Sequence, residues 1–148
     1  MKHIFFDGSR GYLHVVSGPQ TAGQHLGLLI THGLGEHAGS YYHLQQSLTA
    51  AGIRWWAYDQ RGHGRSAGTP VLIESVDDLV ADCISVYAHT VGASGLPGAM
   101  FGHSLGQRSR SRPRSVLVRR PWFCLPWAFL LGQAWRTSRK WWQRGSTR

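Results

Sequence analysis

The 148-residue chain contains no asparagine, only two lysines against fourteen arginines and, after Ser104, no aspartate, glutamate or histidine. The last of these absences excludes acid–base chemistry by a carboxylate or an imidazole from everything that follows residue 104. Cysteine is almost as scarce: Cys83 and Cys124 form neither a disulfide framework nor a metal-ligand spacing, which fits an intracellular chain, and Cys83 reads as core. A secretory leader is also lacking, because Asp7 and Gly8 interrupt the apolar start MKHIFF. Export is therefore not expected, and a cytoplasmic location is.

What is present divides at one point. Residues 1–106 hold five Lys/Arg against all seven acidic residues, a net charge of −2, whereas residues 107–148 hold eleven Lys/Arg and no acid. All nine His, all five Tyr and all five Ile precede Gln107, while five of the seven Trp follow it. The overall charge of +9 thus describes neither part. Two regimes are expected: a domain-like unit over 1–106 and a basic Trp/Arg-rich tail over 107–148.

Within the first unit, strand-like and helix-like patterns alternate. Residues 3–6 and 12–16 flank a Gly-Ser-Arg-Gly turn and predict a hairpin. Leu26–Thr31 and Ile53–Tyr58 are short apolar runs that predict buried strands. Between them Tyr41, Leu44, Leu48 and Ala51 recur at helical spacing and stop at Gly52, a C-cap. A second helix is expected from the Ser75 N-cap, with Asp78 closing a capping-box variant and Val76, Leu79, Val80, Cys83, Ile84 and Tyr87 forming its apolar face. Residues 99–101 form a last short strand. Strands alternating with helices imply an α/β architecture: a mostly parallel sheet with an N-terminal β-hairpin and flanking helices.

That last strand runs into Gly102-His103-Ser104-Leu105-Gly106, the pattern of a nucleophile elbow, in which a serine stands on a sharp strand-to-helix turn. Small residues at Gly102 and Gly106 are needed because the turn brings backbone against backbone, and the Leu105 N–H is placed to serve as one oxyanion donor. His32-Gly33-Leu34-Gly35-Glu36-His37 directly follows the strand Leu26–Thr31, and its glycines would let the Leu34 N–H approach a developing oxyanion. Such a donor is worth about 2.7 to 4 kcal/mol in catalysis. The third glycine-rich segment, Asp59-Gln60-Arg61-Gly62-His63-Gly64-Arg65-Ser66, lacks the spacing and the Lys-Ser/Thr of a phosphate loop. It reads as bracing, with Asp59 and Arg61 available to pair.

Taken together, HGLGEHAGSYYHL (32–44), YDQRGHGRSAG (58–68), VDDLVADC (76–83) and GLPGAMFGHSLG (95–106) resemble the α/β-hydrolase fold, specifically its monoglyceride lipase and lysophospholipase branch, the serine aminopeptidase S33-like group. The resemblance covers residues 1–106. It implies a truncated α/β-hydrolase and hydrolysis of a lipid carboxylic ester, with Ser104 as nucleophile and the Leu34 and Leu105 amides as oxyanion hole. His32, Gly33, Gly102, His103 and Gly106 correspond to the supporting loops, and no metal or cofactor is implied. Ser40 departs from the arginine usual before the following tyrosine. In that family the triad Asp and His follow the serine, and this sequence offers neither there.

Three readings of residues 107–148 compete. RSRSRPRS with interleaved Trp suits a nucleic-acid-binding arm. The mostly apolar stretch 122–134 suits a membrane-surface anchor, being too short to span and interrupted by Pro126. On either of these the chain would be a non-catalytic binding protein with a basic tail. The third and preferred reading is translation out of frame, which makes nucleic acid the weaker partner and leaves a peripheral membrane contact open. Arg over Lys and the missing Asn indicate a GC-rich gene. Shifted by one base, codons 107–116 become Ala/Pro/Ser/Thr types with Phe/Leu/Ile/Val at each Arg-to-Ser junction, and PWFCLP (121–126) becomes a valine-leucine run followed by small residues. An apolar helix and a core strand are what an elbow should meet next. The nucleotide sequence around codon 107 separates the three.

Overall fold

The structure, a computed structural model, describes residues 1–108. The three readings of the tail therefore fall almost wholly outside the described residues.

Strands β1 (Lys2–Gly8) and β2 (Gly11–Ser17) form the antiparallel hairpin, with Phe5 opposite His14. β3 (Leu26–Thr31) leads through a 3-10 turn, Ala38–Tyr41, into α1 (Tyr42–Ala50). That helix stops where Gly52 takes a φ of +69°, a left-handed conformation that favours glycine. β4 (Ile53–Tyr58), α2 (Val76–His89), β5 (Gly98–Gly102) and the short α3 (Leu105–Arg108) complete the order. The sheet runs β1-β2-β4-β3-β5, and β3 pairs in parallel with both β4 and β5. β2 pairs antiparallel with β4, so the sheet is mixed, with two antiparallel pairings on the hairpin side and two parallel ones around β3, where a mostly parallel sheet was expected.

Side chains alternate across the strands and build two cores. In β4 the neighbours Trp55 and Trp56 point to opposite faces, as the two-residue strand period requires. Trp56, Tyr58, Leu29 and Met100 pack with Cys83 and Val86 of α2, while Trp55, Ala57 and Ile30 pack with Leu48 of α1. With helices on both faces, the strands can be apolar on both sides.

The topology also fixes where a site can form. From β3 the chain crosses to β4 on one side, and it returns later as β5 on the other, so the loops leaving β3 and β5 diverge at the carboxyl ends of neighbouring strands. Open α/β sheets bind ligands at such a point. Thr31 and Gly102 stand side by side there in register.

Three expectations for the bracing elements need correction. Val76 is exposed and Asp82 is buried, so the buried face of α2 is Leu79, Asp82, Cys83 and Val86. Asp82 can face inward because Arg61 Nη2 donates to its Oδ2 at 2.8 Å and the Ser9 N–H to its Oδ1 at 2.8 Å. Arg61 is thereby spent on Asp82, and Asp59 pairs with His14 (2.7 Å) instead of with Arg61. The Ser75 hydroxyl does accept the Asp77 N–H as N-cap, but the Asp78 carboxylate turns to Arg10 Nε at 3.2 Å. An ion pair across elements replaces the expected closure of the box.

Candidate active site

β5 ends at Gly102 and α3 starts at Leu105, leaving His103 and Ser104 to make the turn. Ser104 adopts φ +49°, a left-handed conformation that costs a non-glycine residue of order 1–3 kcal/mol. Its side chain is exposed. The flanking glycines are required by contact: a methyl on Gly102 would meet Thr31 Oγ1 and lie 2.7 Å from Gly106 O, and one on Gly106 would lie 2.5 Å from Thr31 O and 2.7 Å from His32 O. The Thr31 hydroxyl donates to Phe101 O at 2.9 Å, and the His103 N–H donates to Thr31 O at 3.1 Å. Thr31 thus ties the end of β3 to the turn. Gly106→Ala forces a methyl against two carbonyls that cannot retreat, and we expect it to destabilise by about 1–3 kcal/mol, the usual cost of overpacking, in urea denaturation.

On the β3 side, the backbone N–H groups of residues 33–38 can be accounted for one by one. Gly33 donates to Glu36 Oε2 (2.8 Å), Gly35 to His63 Nε2 (3.1 Å), Glu36 to Gly33 O (3.2 Å), His37 to Ser40 Oγ (3.3 Å) and Ala38 to Asp59 Oδ1 (2.7 Å). Leu34 alone among these six has an N–H with no partner among the described residues, and the residue is 54% exposed. At this exposure the amide is open to solvent or to a ligand. Gly33 packs directly on the turn, since a methyl there would be 3.1 Å from His103 Nδ1 and 3.3 Å from Ser104 Cβ. The free amide is therefore one residue from the contact with the serine.

The imidazoles around this corner are committed elsewhere. His32 is buried, its Nε2 accepts the Gln60 N–H at 2.8 Å, and its Nδ1–H donates to Gly33 O at 2.7 Å. Burial pushes its pKa down, which keeps the ring neutral as this pattern needs. His63 accepts from Gly35 and donates through Nδ1–H to Arg61 O at 2.9 Å. His103, 56% exposed in its side chain, has Nδ1 3.4 Å from Glu36 Oε2. Among the expected site residues, then, Ser104, Gly33, His103 and the Leu34 loop come together, and His32 lies beneath them as a brace.

Neither Glu36 nor the hydroxyl of Tyr41, which the helical spacing placed on an apolar face, is expected at the site from the sequence. Glu36 Oε2 accepts the Tyr41 hydroxyl at 2.6 Å besides the Gly33 N–H, and these bonds, Tyr41 first, hold its pKa near 2 against the opposing effect of partial burial. Burial and the neighbouring carboxylate push the Tyr41 hydroxyl well up, so it stays a donor. Among the described residues no group of three or more His, Cys, Asp or Glu is placed to hold a metal ion, and no helix is long and apolar enough to cross a membrane.

Comparison with known proteins matches residues 24–107 to the family model described as serine aminopeptidase, S33. A monoacylglycerol lipase from Mycolicibacterium smegmatis is 38% identical over 84 residues, which cover 53% of this chain and 29% of that protein. A monoglyceride lipase homolog from Monkeypox virus is 35% identical over 81 residues, again 53% of this chain and 29% of the relative. In structure, epoxide hydrolase A from Mycobacterium thermoresistibile aligns with a TM-score of 0.55 at 27% identity, covering 71% of this chain and 32% of that one. The chain thus spans less than a third of the length of these relatives.

Proposed function

We propose, on the premise that this chain belongs to the serine aminopeptidase S33 family of α/β hydrolases, that residues 1–106 carry the nucleophile and oxyanion half of a carboxylic-ester hydrolase site. The substrate class is a lipid ester of the monoacylglycerol or lysophospholipid type. A similar pair of relatives bearing lipase names supports this. In the reaction Ser104 Oγ attacks the acyl carbon, the carbonyl oxygen becomes an oxyanion held by the Leu34 and Leu105 amides, and the alcohol leaves with the serine's proton. Water then releases the acid from the acyl-serine.

The observation that carries the reading is the Leu34 N–H, the one amide of residues 33–38 without a partner among the described residues, in the residue that follows Gly33, whose Cα packs on the turn of a serine held at φ +49°. A nucleophile on a strained tip and a donor kept free next to it are the two parts that acyl transfer needs before any base is considered.

Phenylboronic acid tests it without requiring turnover. The Ser104 hydroxyl would add to boron, forming an O–B bond and releasing its proton to the buffer, and the resulting tetrahedral boronate mimics the oxyanion. The expected result is a tetrahedral ¹¹B NMR signal with the wild-type chain and none with Ser104→Ala. An equal signal in both, or none with wild type at millimolar boronate, would overturn the reading.

A further inference from the structure

We infer that Glu36 is a positioning residue for the oxyanion donor: its carboxylate takes up the Gly33 amide so that the Leu34 amide alone is presented to the site. This rests on the functional reading above and goes one step past it, to what sets the loop.

Three features of the loop lead to it. The N–H groups on either side of Leu34 are each removed by a side chain, Gly33 by Glu36 Oε2 and Gly35 by His63 Nε2. Gly33 cannot fix its own orientation, because glycine has the widest backbone freedom of any residue, and a methyl there would crowd Glu36 Oε2, His103 Nδ1 and Ser104 Cβ at 3.1 to 3.3 Å. The two peptides that meet at Gly33 are therefore set from outside: Gly33 O, on the peptide whose N–H is that of Leu34, accepts from His32 Nδ1 at 2.7 Å and from the Glu36 N–H at 3.2 Å, and the Gly33 N–H on the preceding peptide is held by the Glu36 carboxylate. Of these groups Glu36 is the one that reaches both loops: its Oε2 lies 2.8 Å from Gly33 N and 3.4 Å from Nδ1 of His103, the residue before the serine.

The same oxygen also accepts the Tyr41 hydroxyl at 2.6 Å, which anchors it to the start of α1. One carboxylate oxygen thus ties the loop after β3, the helix behind it and the turn after β5. A negative charge near a developing oxyanion is unfavourable in itself. Here it is offset by the donors that converge on it, and because the group is ionised down to about pH 2 it remains a strong acceptor at any working pH. His63 holds the other flank, from the brace after β4.

The test separates an acceptor role from general stability. Phenylboronic acid affinity is measured by ¹¹B NMR for wild type, Glu36→Ala and Glu36→Gln, well below each variant's melting temperature. The Leu34 amide shift in ¹H–¹⁵N spectra is followed with and without boronate. Gln keeps a carbonyl oxygen for the Gly33 N–H, and Ala keeps nothing. We expect Glu36→Ala to weaken the adduct by about tenfold or more, less than the loss of a whole donor, and to move the free Leu34 amide resonance, with Glu36→Gln restoring affinity to within about threefold of wild type. Wild-type affinity in Glu36→Ala, or Glu36→Gln as weak as Glu36→Ala, would overturn the inference. Absence of a Ser104-dependent adduct in wild type would instead overturn the functional reading beneath it.

Discussion

Asp59→Ala is expected to cost about 3–5 kcal/mol, the range seen when a buried charged partner is removed and its donors are left stranded. Asp59 is 3% exposed, and its carboxylate accepts from His14 Nδ1 (2.7 Å), Arg65 N (2.9 Å) and Ala38 N (2.7 Å). Those donors come from β2, from the loop after β4 and from the turn before α1, so one side chain fastens three segments. Alanine would leave the buried amides and the His14 ring without an acceptor, and His14 is itself bonded to His3 through Nε2 at 2.9 Å. Gly64 reports the same closeness, since at φ +52° a methyl there would collide with the Asp59 carboxylate.

Urea denaturation followed by far-UV circular dichroism measures the loss, and pH gives it a signature. Burial raises the Asp59 pKa, but the Ala38 and Arg65 amides and His14 outweigh it and bring the folded value below the ordinary 3.8. A depressed carboxylate contributes stability that is complete above its unfolded pKa and fades as pH falls toward its folded one. The gap between wild type and Asp59→Ala should therefore be full at neutral pH and narrow below about pH 4. A gap below about 1 kcal/mol at neutral pH, or one that widens on acidification, would contradict the assignment.

Some of this was legible from the order of residues and some was not, for identifiable reasons. β3 and β4 lie where their apolar runs predict, Leu26–Thr31 and Ile53–Tyr58, because glycine, histidine and aspartate end those runs sharply. The turn at Ser104 was legible for the same reason: its geometry depends on two glycines at fixed spacing, and the contacts of Gly102 and Gly106 with the backbone around Thr31 bear this out. The face of α2 was misread at Val76 and Asp82, since helical periodicity sends an acid outward unless a cation arrives from elsewhere, and Arg61 arrives from a loop 21 residues away. Glu36 and His63 left no periodic trace at all, and the helical spacing of Tyr41 did not show that its hydroxyl reaches Glu36. Their bonds run from side chain to side chain or to backbone across loops, and only the folded chain shows which amide each one takes.

Serine-dependent ester turnover by the 148-residue chain alone is expected to be undetectable, even though Ser104 is exposed on its turn. A serine hydroxyl needs a base to react at neutral pH. No Asp, Glu or His follows Ser104 in the sequence, so any base must come from upstream. His32 and His63 have both ring nitrogens engaged, and His14 is buried between Asp59 and His3. His103 precedes the serine and turns its Nδ1 toward Glu36 at 3.4 Å. In serine hydrolases loss of the base costs about 10⁶ in kcat and leaves roughly 10³ to 10⁴ over water, a remainder that depends on an intact oxyanion hole and substrate binding. Initial rates with p-nitrophenyl butyrate, compared among the wild-type chain, Ser104→Ala and His103→Ala, measure this directly. All three should coincide with one another within error, at no more than that remainder above the uncatalysed rate. Turnover at a lipase-like rate that Ser104→Ala abolishes would overturn the expectation, and its loss in His103→Ala as well would identify the Glu36-linked imidazole as the base.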